Sequence, residues 1–200
     1  MILYHYDRLG TLEPGQRLEL SRDYSMLGER AEGVPGALSW LFPEGMSRHG
    51  FLYMDVFSTG YVAGTESAES LRRQLADMPS YQIEWNLELV RRIWFPGLPS
   101  RCQSLFCLQG TEDFFRWPEL RSSQGRLFEV CVPDGGKHAV LDSQMLRGGF
   151  VTHDDGVITG SAPLDWLCSK RYWSGEKSWD PRLEVVVELP VTMGRVLEVV

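Results

Sequence analysis

Helical periodicity gathers in the first half of this chain and strand-like segments in the second. That order disfavours a parallel βαβ sheet and predicts an α+β domain. Residues 66–78 set Leu71, Leu75 and Met78 on one helical face, and Pro79 stops the pattern. A stronger helix is predicted over residues 81–94. Its apolar stripe is Ile83, Leu87, Val90 and Trp94, with Glu84, Glu88, Arg91 and Arg92 assigned to water. Glu88 and Arg92 have the spacing of an i,i+4 ion pair, worth about 0.3–0.5 kcal/mol on an exposed helix. Phe95-Pro96-Gly97-Leu98-Pro99 then forces an extended path.

Strands are expected at residues 2–6, 17–20, 103–108, 127–132, 156–158, 183–189 and 195–199. Residues 28–50 are rich in Gly and Pro and read as irregular, with room for one short helix near the apolar cluster at 38–42. Residues 113–117 suggest a helical turn closed by Pro118. Residues 163–172 suggest a short helix with Pro163 in its first turn. The 200 residues contain no internal repeat or long linker, so one domain spanning 1–200 is expected.

A hydrophobic fraction of 43% and an aromatic fraction of 12% are those of a chain that builds a packed core. The formal net charge of −7 disfavours generic binding to nucleic acid or to an anionic membrane. No apolar run is long enough to cross a bilayer, and the N-terminus lacks a basic segment followed by an apolar one. A cytoplasmic location, or delivery into another cell without a cleaved signal peptide, is therefore expected.

Cys102, Cys107, Cys131 and Cys168 lack paired CxxC spacing, and His5, His49, His138 and His153 lack ligand spacing, so no metal is expected. Asp134-Gly135-Gly136-Lys137 is no phosphate loop, because Cys131 and His138 stand where Gly and Ser or Thr are needed. It reads as a polar turn, as does His153-Asp154-Asp155-Gly156.

Three short segments fall in a telling order: Leu3-Tyr4-His5-Tyr6, then Ser100-Arg101-Cys102-Gln103-Ser104-Leu105-Phe106, then Tyr172-Trp173 followed by a strand that opens near Glu184. This order resembles the ADP-ribosyltransferase fold, and the first segment is similar to the first strand of its diphtheria-toxin-like and poly-ADP-ribose-polymerase-like branch. Glu84, Glu88, Val90-Arg91, Phe95-Pro96, Pro99-Ser100-Arg101 and Ser104-x-Phe106 together look like a family of bacterial proteins with a related fold.

The resemblance implies split, mostly antiparallel sheets and a cleft that binds NAD as substrate. ADP-ribose would pass to a macromolecular acceptor, protein or nucleic acid. A toxin, effector or defence role with a cognate antitoxin or immunity protein would follow. Glu184 matches the family's catalytic glutamate, which stabilises the oxocarbenium-like ribose. His5 would bond a ribose hydroxyl, Tyr6, Phe106 and Tyr172 would supply rings for nicotinamide, Ser104 a small polar group, and Arg101 a fork for the pyrophosphate.

Plainer roles stand beside these. His5 is equally suited to a half-buried hydrogen bond, Glu184 to a solvated strand position near Arg182, and Arg101 to pairing with a helix carboxylate. Ser104 and Phe106 suit structural positions, and Tyr172 suits packing against the last strands. Glu188 shares the strand face of Glu184. The Glu-x-Glu pair of arginine-modifying toxins is absent, and Phe106 stands where the diphtheria-like branch has Tyr. An inactive interaction module that keeps the fold, and hydrolysis of NAD without transfer, are the alternatives.

Overall fold

The computed structural model describes residues 1–24, 34–58, 82–121, 125–147, 150–152, 158–160 and 162–197. The helix expected over 66–78 and the turn expected at 153–156 lie outside them. The architecture is α+β, with antiparallel sheets and flanking helices.

Strand β1 (Ile2–Asp7) pairs with β4 (Arg126–Cys131), β4 with β9 (Val191–Leu197), and β9 with the two-residue β2 (Arg17–Leu18). Every pairing in this sheet is antiparallel. A second sheet places β8 (Leu183–Glu188) between β3 (Ser104–Cys107) and β5 (His138–Asp142), again antiparallel. β6 (Phe150–Thr152) and β7 (Ile158–Gly160) form a separate hairpin. The two larger sheets touch where Tyr4 and Leu108 exchange backbone hydrogen bonds of 3.0 and 2.6 Å.

Burial on both faces explains why the central strand β8 reads as Val185-Val186-Val187. Val185 and Val187 pack against Leu3, Phe128, Val130 and Met193 of the first sheet. Val186 faces the opposite way, toward Leu87, Val90, Tyr172 and Trp173. These last four sit on helix α3 (residues 82–94) and helix α5 (Ala162–Trp173). The two helices are bolted together by Trp173 Nε1, which donates to the Leu87 carbonyl at 2.8 Å. Among the described residues no helix is long and apolar enough to cross a membrane.

Several expectations need correction. The segment 28–50 holds more helix than its Gly and Pro content suggests: α1 (Val34–Leu41), and the start of α2 (Arg48–Ser58). Gly50 sits in α2 because a Cβ there would stand 2.3 Å from the Cys102 carbonyl oxygen. Pro118 opens α4 (Pro118–Arg121) after the 3-10 turn Glu112–Arg116. β5 follows the turn at Asp134–Lys137 with no sequence expectation of its own.

On α3, Ile83, Leu87 and Val90 pack inward as expected, but Glu84, Glu88 and Trp94 depart from the expected pattern. Glu84 and Glu88 are 5% and 2% exposed, whereas Trp94 is 46% exposed and meets Trp166 edge-on. Glu88 is the acceptor for Arg91, Arg92 and Ser100, so its charge is met inside the fold. Burial alone would raise its carboxyl, but these donors hold it below the usual glutamate range.

Candidate functional site

Between β1, β3 and the N-terminal end of α2 lies an open cleft of about 590 Å³. It is lined by His5, Tyr6, Arg101, Ser104, Phe106 and Glu184, residues drawn from three distant parts of the chain. That volume lies within the range of small-ligand pockets, about 300–1,000 Å³.

A buried charge network forms the floor. Arg101 comes from the 3-10 turn Arg101–Gln103, which follows the extended path set by Pro96 and Pro99. Its Nε and Nη2 donate to the two oxygens of Glu84 at 2.8 and 2.7 Å. Its Nη1 donates to Glu184 Oε1 and to the Tyr172 hydroxyl oxygen, both at 2.5 Å. Tyr172 donates in turn to Glu184 Oε1 at 2.7 Å. Burial works against each charge here. The Arg101 guanidinium nevertheless holds Glu84 far below the usual glutamate range, while Glu184 and Glu84 hold Arg101 well above the usual arginine range. Burial pushes the Tyr172 phenol up, so it stays protonated and able to donate.

Glu184 shares its strand face with Val186, so alternation turns it toward α3 and α5. It lines the cleft, with Oε1 held by Tyr172 and Arg101 and Oε2 without a protein hydrogen bond among the described residues. His5 comes from β1, and its Nδ1 lies 2.7 Å from the Phe106 carbonyl oxygen. Accepting there, the carbonyl fixes the proton on Nδ1 and leaves Nε2 as an acceptor. Burial lowers the imidazole's pKa, only partly opposed by this bond, so His5 is neutral at pH 7.

The remaining expected residues have structural partners. Ser104 Oγ donates to the Ser100 carbonyl at 2.6 Å and is buried. Tyr6 packs against Phe114 with ring centres 5.0 Å apart, and its hydroxyl accepts the Gly125 N–H. The Phe106 ring lies 4.4 Å from the Arg101 guanidinium carbon. Tyr172 is fully buried beneath Glu184 and does not line the cleft, so it supports the carboxylate and offers no face for a ring to stack on. Arg101, expected to meet a pyrophosphate, is instead fixed by its four hydrogen bonds to Glu84, Glu184 and Tyr172.

Sequence reasoning missed His49. Its ring lies on α2, 4.3 Å from the Phe106 ring and 4.5 Å from the Tyr53 ring, and it lines the cleft. Its Nε2 is 3.7 Å from Glu84 Oε1, too far for a hydrogen bond, and is buried with no hydrogen-bond partner among the described residues. No spacing in the sequence signals this meeting; it arises because Gly50 lets α2 press on Cys102. Glu84 was also missed, and the only available signal was an acid on the core side of an otherwise apolar helix face.

No curated protein matches this sequence. A family model described as a protein of unknown function (DUF2441) matches residues 3–199, nearly the whole chain, and the chain therefore belongs to that family.

Proposed function

We propose that this protein cleaves NAD and transfers its ADP-ribose to a macromolecular acceptor. One observation carries the reading: a carboxylate, Glu184, enters a ligand-sized cleft with one oxygen anchored by Tyr172 and Arg101 and the other without a hydrogen-bond partner among the described residues. The neutral His5, which also lines the cleft, offers Nε2 to a ribose hydroxyl. The ring of Phe106 supplies an apolar wall.

In this reaction the bond between ribose C1′ and the nicotinamide nitrogen breaks, and nicotinamide leaves neutral with the bonding pair. Positive charge grows on the ribose. A fixed carboxylate beside it lowers the barrier, because its charge needs no reorganisation when the cation forms. Two carboxylates, Glu84 and Glu184, share the single guanidinium of Arg101, so the floor keeps an excess negative charge to meet that cation. An acceptor oxygen or nitrogen then bonds C1′, and its proton passes to Glu184 Oε2 or to water.

A second reading, an inactive interaction module, has one specific observation in its favour: the partners of Arg101, Ser104 and Tyr172 are all satisfied within the fold. Thermal unfolding with and without NAD separates the two. Saturation at a hundred times the dissociation constant adds about 2.7 kcal/mol to stability. A rise in Tm with NAD supports the first reading, and an unchanged Tm in millimolar NAD supports the second.

A further inference from the structure

The charged side chains that line the cleft are Asp7, Arg8, Glu19, Arg48, Arg101 and Glu184, and their partners decide which are available. Asp7 accepts the N–H groups of Leu9 and Leu12 at 3.1 and 2.8 Å. Glu19 pairs with Arg17 at 2.7 Å. Arg101 and Glu184 hold one another on the floor. The two guanidinium groups that remain are Arg8 and Arg48.

Both are exposed. Arg8 has no carboxylate or hydrogen-bond partner among the described residues. Arg48 Nη1 donates to a neutral group, Thr11 Oγ1, at 2.9 Å. Thr11 belongs to the turn that Asp7 closes, and Arg8 opens the same turn, so Arg48 is tied to the segment that carries Arg8, and both line the cleft. The floor is of opposite sign, with two carboxylates against one guanidinium. In a chain of net charge −7, a pair of uncommitted arginines at a cleft mouth is a local exception to the protein's overall field.

We infer that Arg8 and Arg48 form a diphosphate subsite at the rim. A planar guanidinium donates two parallel N–H groups to phosphate oxygens, and charge-assisted bonds of this kind are stronger than neutral ones. The subsite orients a dinucleotide with its anionic bridge at the rim and its cationic ring toward Glu184. This assignment moves the phosphate contact from Arg101 to residues with donors to spare. It rests on the NAD reading only in naming the ligand, because the rim is tested without turnover.

The test is calorimetric titration of inorganic pyrophosphate, inorganic phosphate and ADP-ribose in metal-free, low-salt buffer. Wild type is compared with Arg8→Ala, Arg48→Ala, the double variant, and Lys170→Ala as an exposed cation away from the cleft. Both rim residues are exposed, and matching thermal unfolding curves check that the variants fold. The expected result is a loss of about tenfold in ADP-ribose affinity for each rim substitution, no pyrophosphate binding in the double variant, and no change in Lys170→Ala.

Equal affinity in wild type and double variant overturns the subsite, as does an absence of pyrophosphate and ADP-ribose binding in wild type. Inorganic phosphate binding as tightly as pyrophosphate overturns the diphosphate assignment. Nicotinamide release from NAD, followed in parallel, separates the two proposals. Rim-dependent binding without cleavage leaves the subsite standing and removes the transferase reading. Cleavage with unchanged KM in the double variant does the reverse.

Discussion

Arg101 Nη1 stands 2.5 Å from Glu184 Oε1, joining the turn before β3 to the first residues of β8 across the floor of the cleft. The same guanidinium grips Glu84 on α3, so one side chain ties a helix, a turn and the central strand together. Removing one member of a buried ion pair strands the other charges, at about 3–5 kcal/mol. Arg101→Ala is expected to lose that much in urea unfolding. Replacing Glu84 and Arg101 together is expected to cost less than the sum of the single changes, as a double-mutant cycle will show.

Tyr172→Phe isolates the anchor on the carboxylate. The ring remains packed against Trp173, and the hydroxyl that donates to Glu184 Oε1 and accepts from Arg101 Nη1 is lost. A hydrogen bond to a charged group contributes about 1.5–3 kcal/mol. Stability should fall by that amount in denaturant titration. If the anchor orients the catalytic oxygen, kcat for nicotinamide release falls while KM holds.

Gly50→Ala tests how α2 is seated. The added Cβ meets the Cys102 carbonyl oxygen at 2.3 Å, and neither backbone can yield without moving the helix that carries His49. Overpacking of this kind costs about 1–3 kcal/mol. Thermal unfolding should register the loss, and ligand binding in the cleft should weaken with it.

Stability is expected to fall on the acid side in two stages. Burial, only partly opposed by the Phe106 carbonyl contact, leaves His5 with a folded pKa below its ordinary 6.5. The unfolded chain therefore binds the proton first, and stability complete above 6.5 declines as pH drops toward the folded value. Asp142 acts lower. Burial would raise it, but the Ser178 hydroxyl and the N–H groups of Ser178, Gln144 and Arg182 outweigh that and hold it below the aspartate range. Its contribution is present above about 4 and is lost as pH falls through the folded value. Stability measured from pH 7 to 3 should show both declines. His5→Gln should flatten the first, and Asp142→Asn should lessen the second, to which Glu84 and Glu88 also contribute.

Local sequence carried much of the architecture. Apolar spacing at Ile83, Leu87 and Val90 located α3, and the apolar segments at β1, β3, β4 and β8 were visible because each is short and punctuated by turns. What escaped was set by contacts between distant residues. Glu84 and Glu88 looked solvent-facing because a lone acid on a helix usually is, and only Arg101, Arg91, Arg92 and Ser100 make their burial tolerable. The start of α2 was hidden by Gly50, which serves packing against Cys102 and gives no helical signal. Glu184, His5 and Phe106 were legible as strand positions. That Tyr172 supports the carboxylate from behind was not, since nothing in the chain tells a ring that packs from a ring that stacks.

The central claim is chemical and has one direct test. Purified protein is incubated with NAD and cell lysate as acceptor source, and free nicotinamide is measured for wild type, Glu184→Gln and Glu188→Gln. Glu188 lies on the same strand face but pairs with Lys137 at 3.3 Å and stands outside the cleft. The account predicts turnover by wild type and by Glu188→Gln, and a loss of about a hundredfold or more in Glu184→Gln, the scale of one preorganised charge-stabilising group. No nicotinamide from wild type, or equal release by Glu184→Gln, would contradict it.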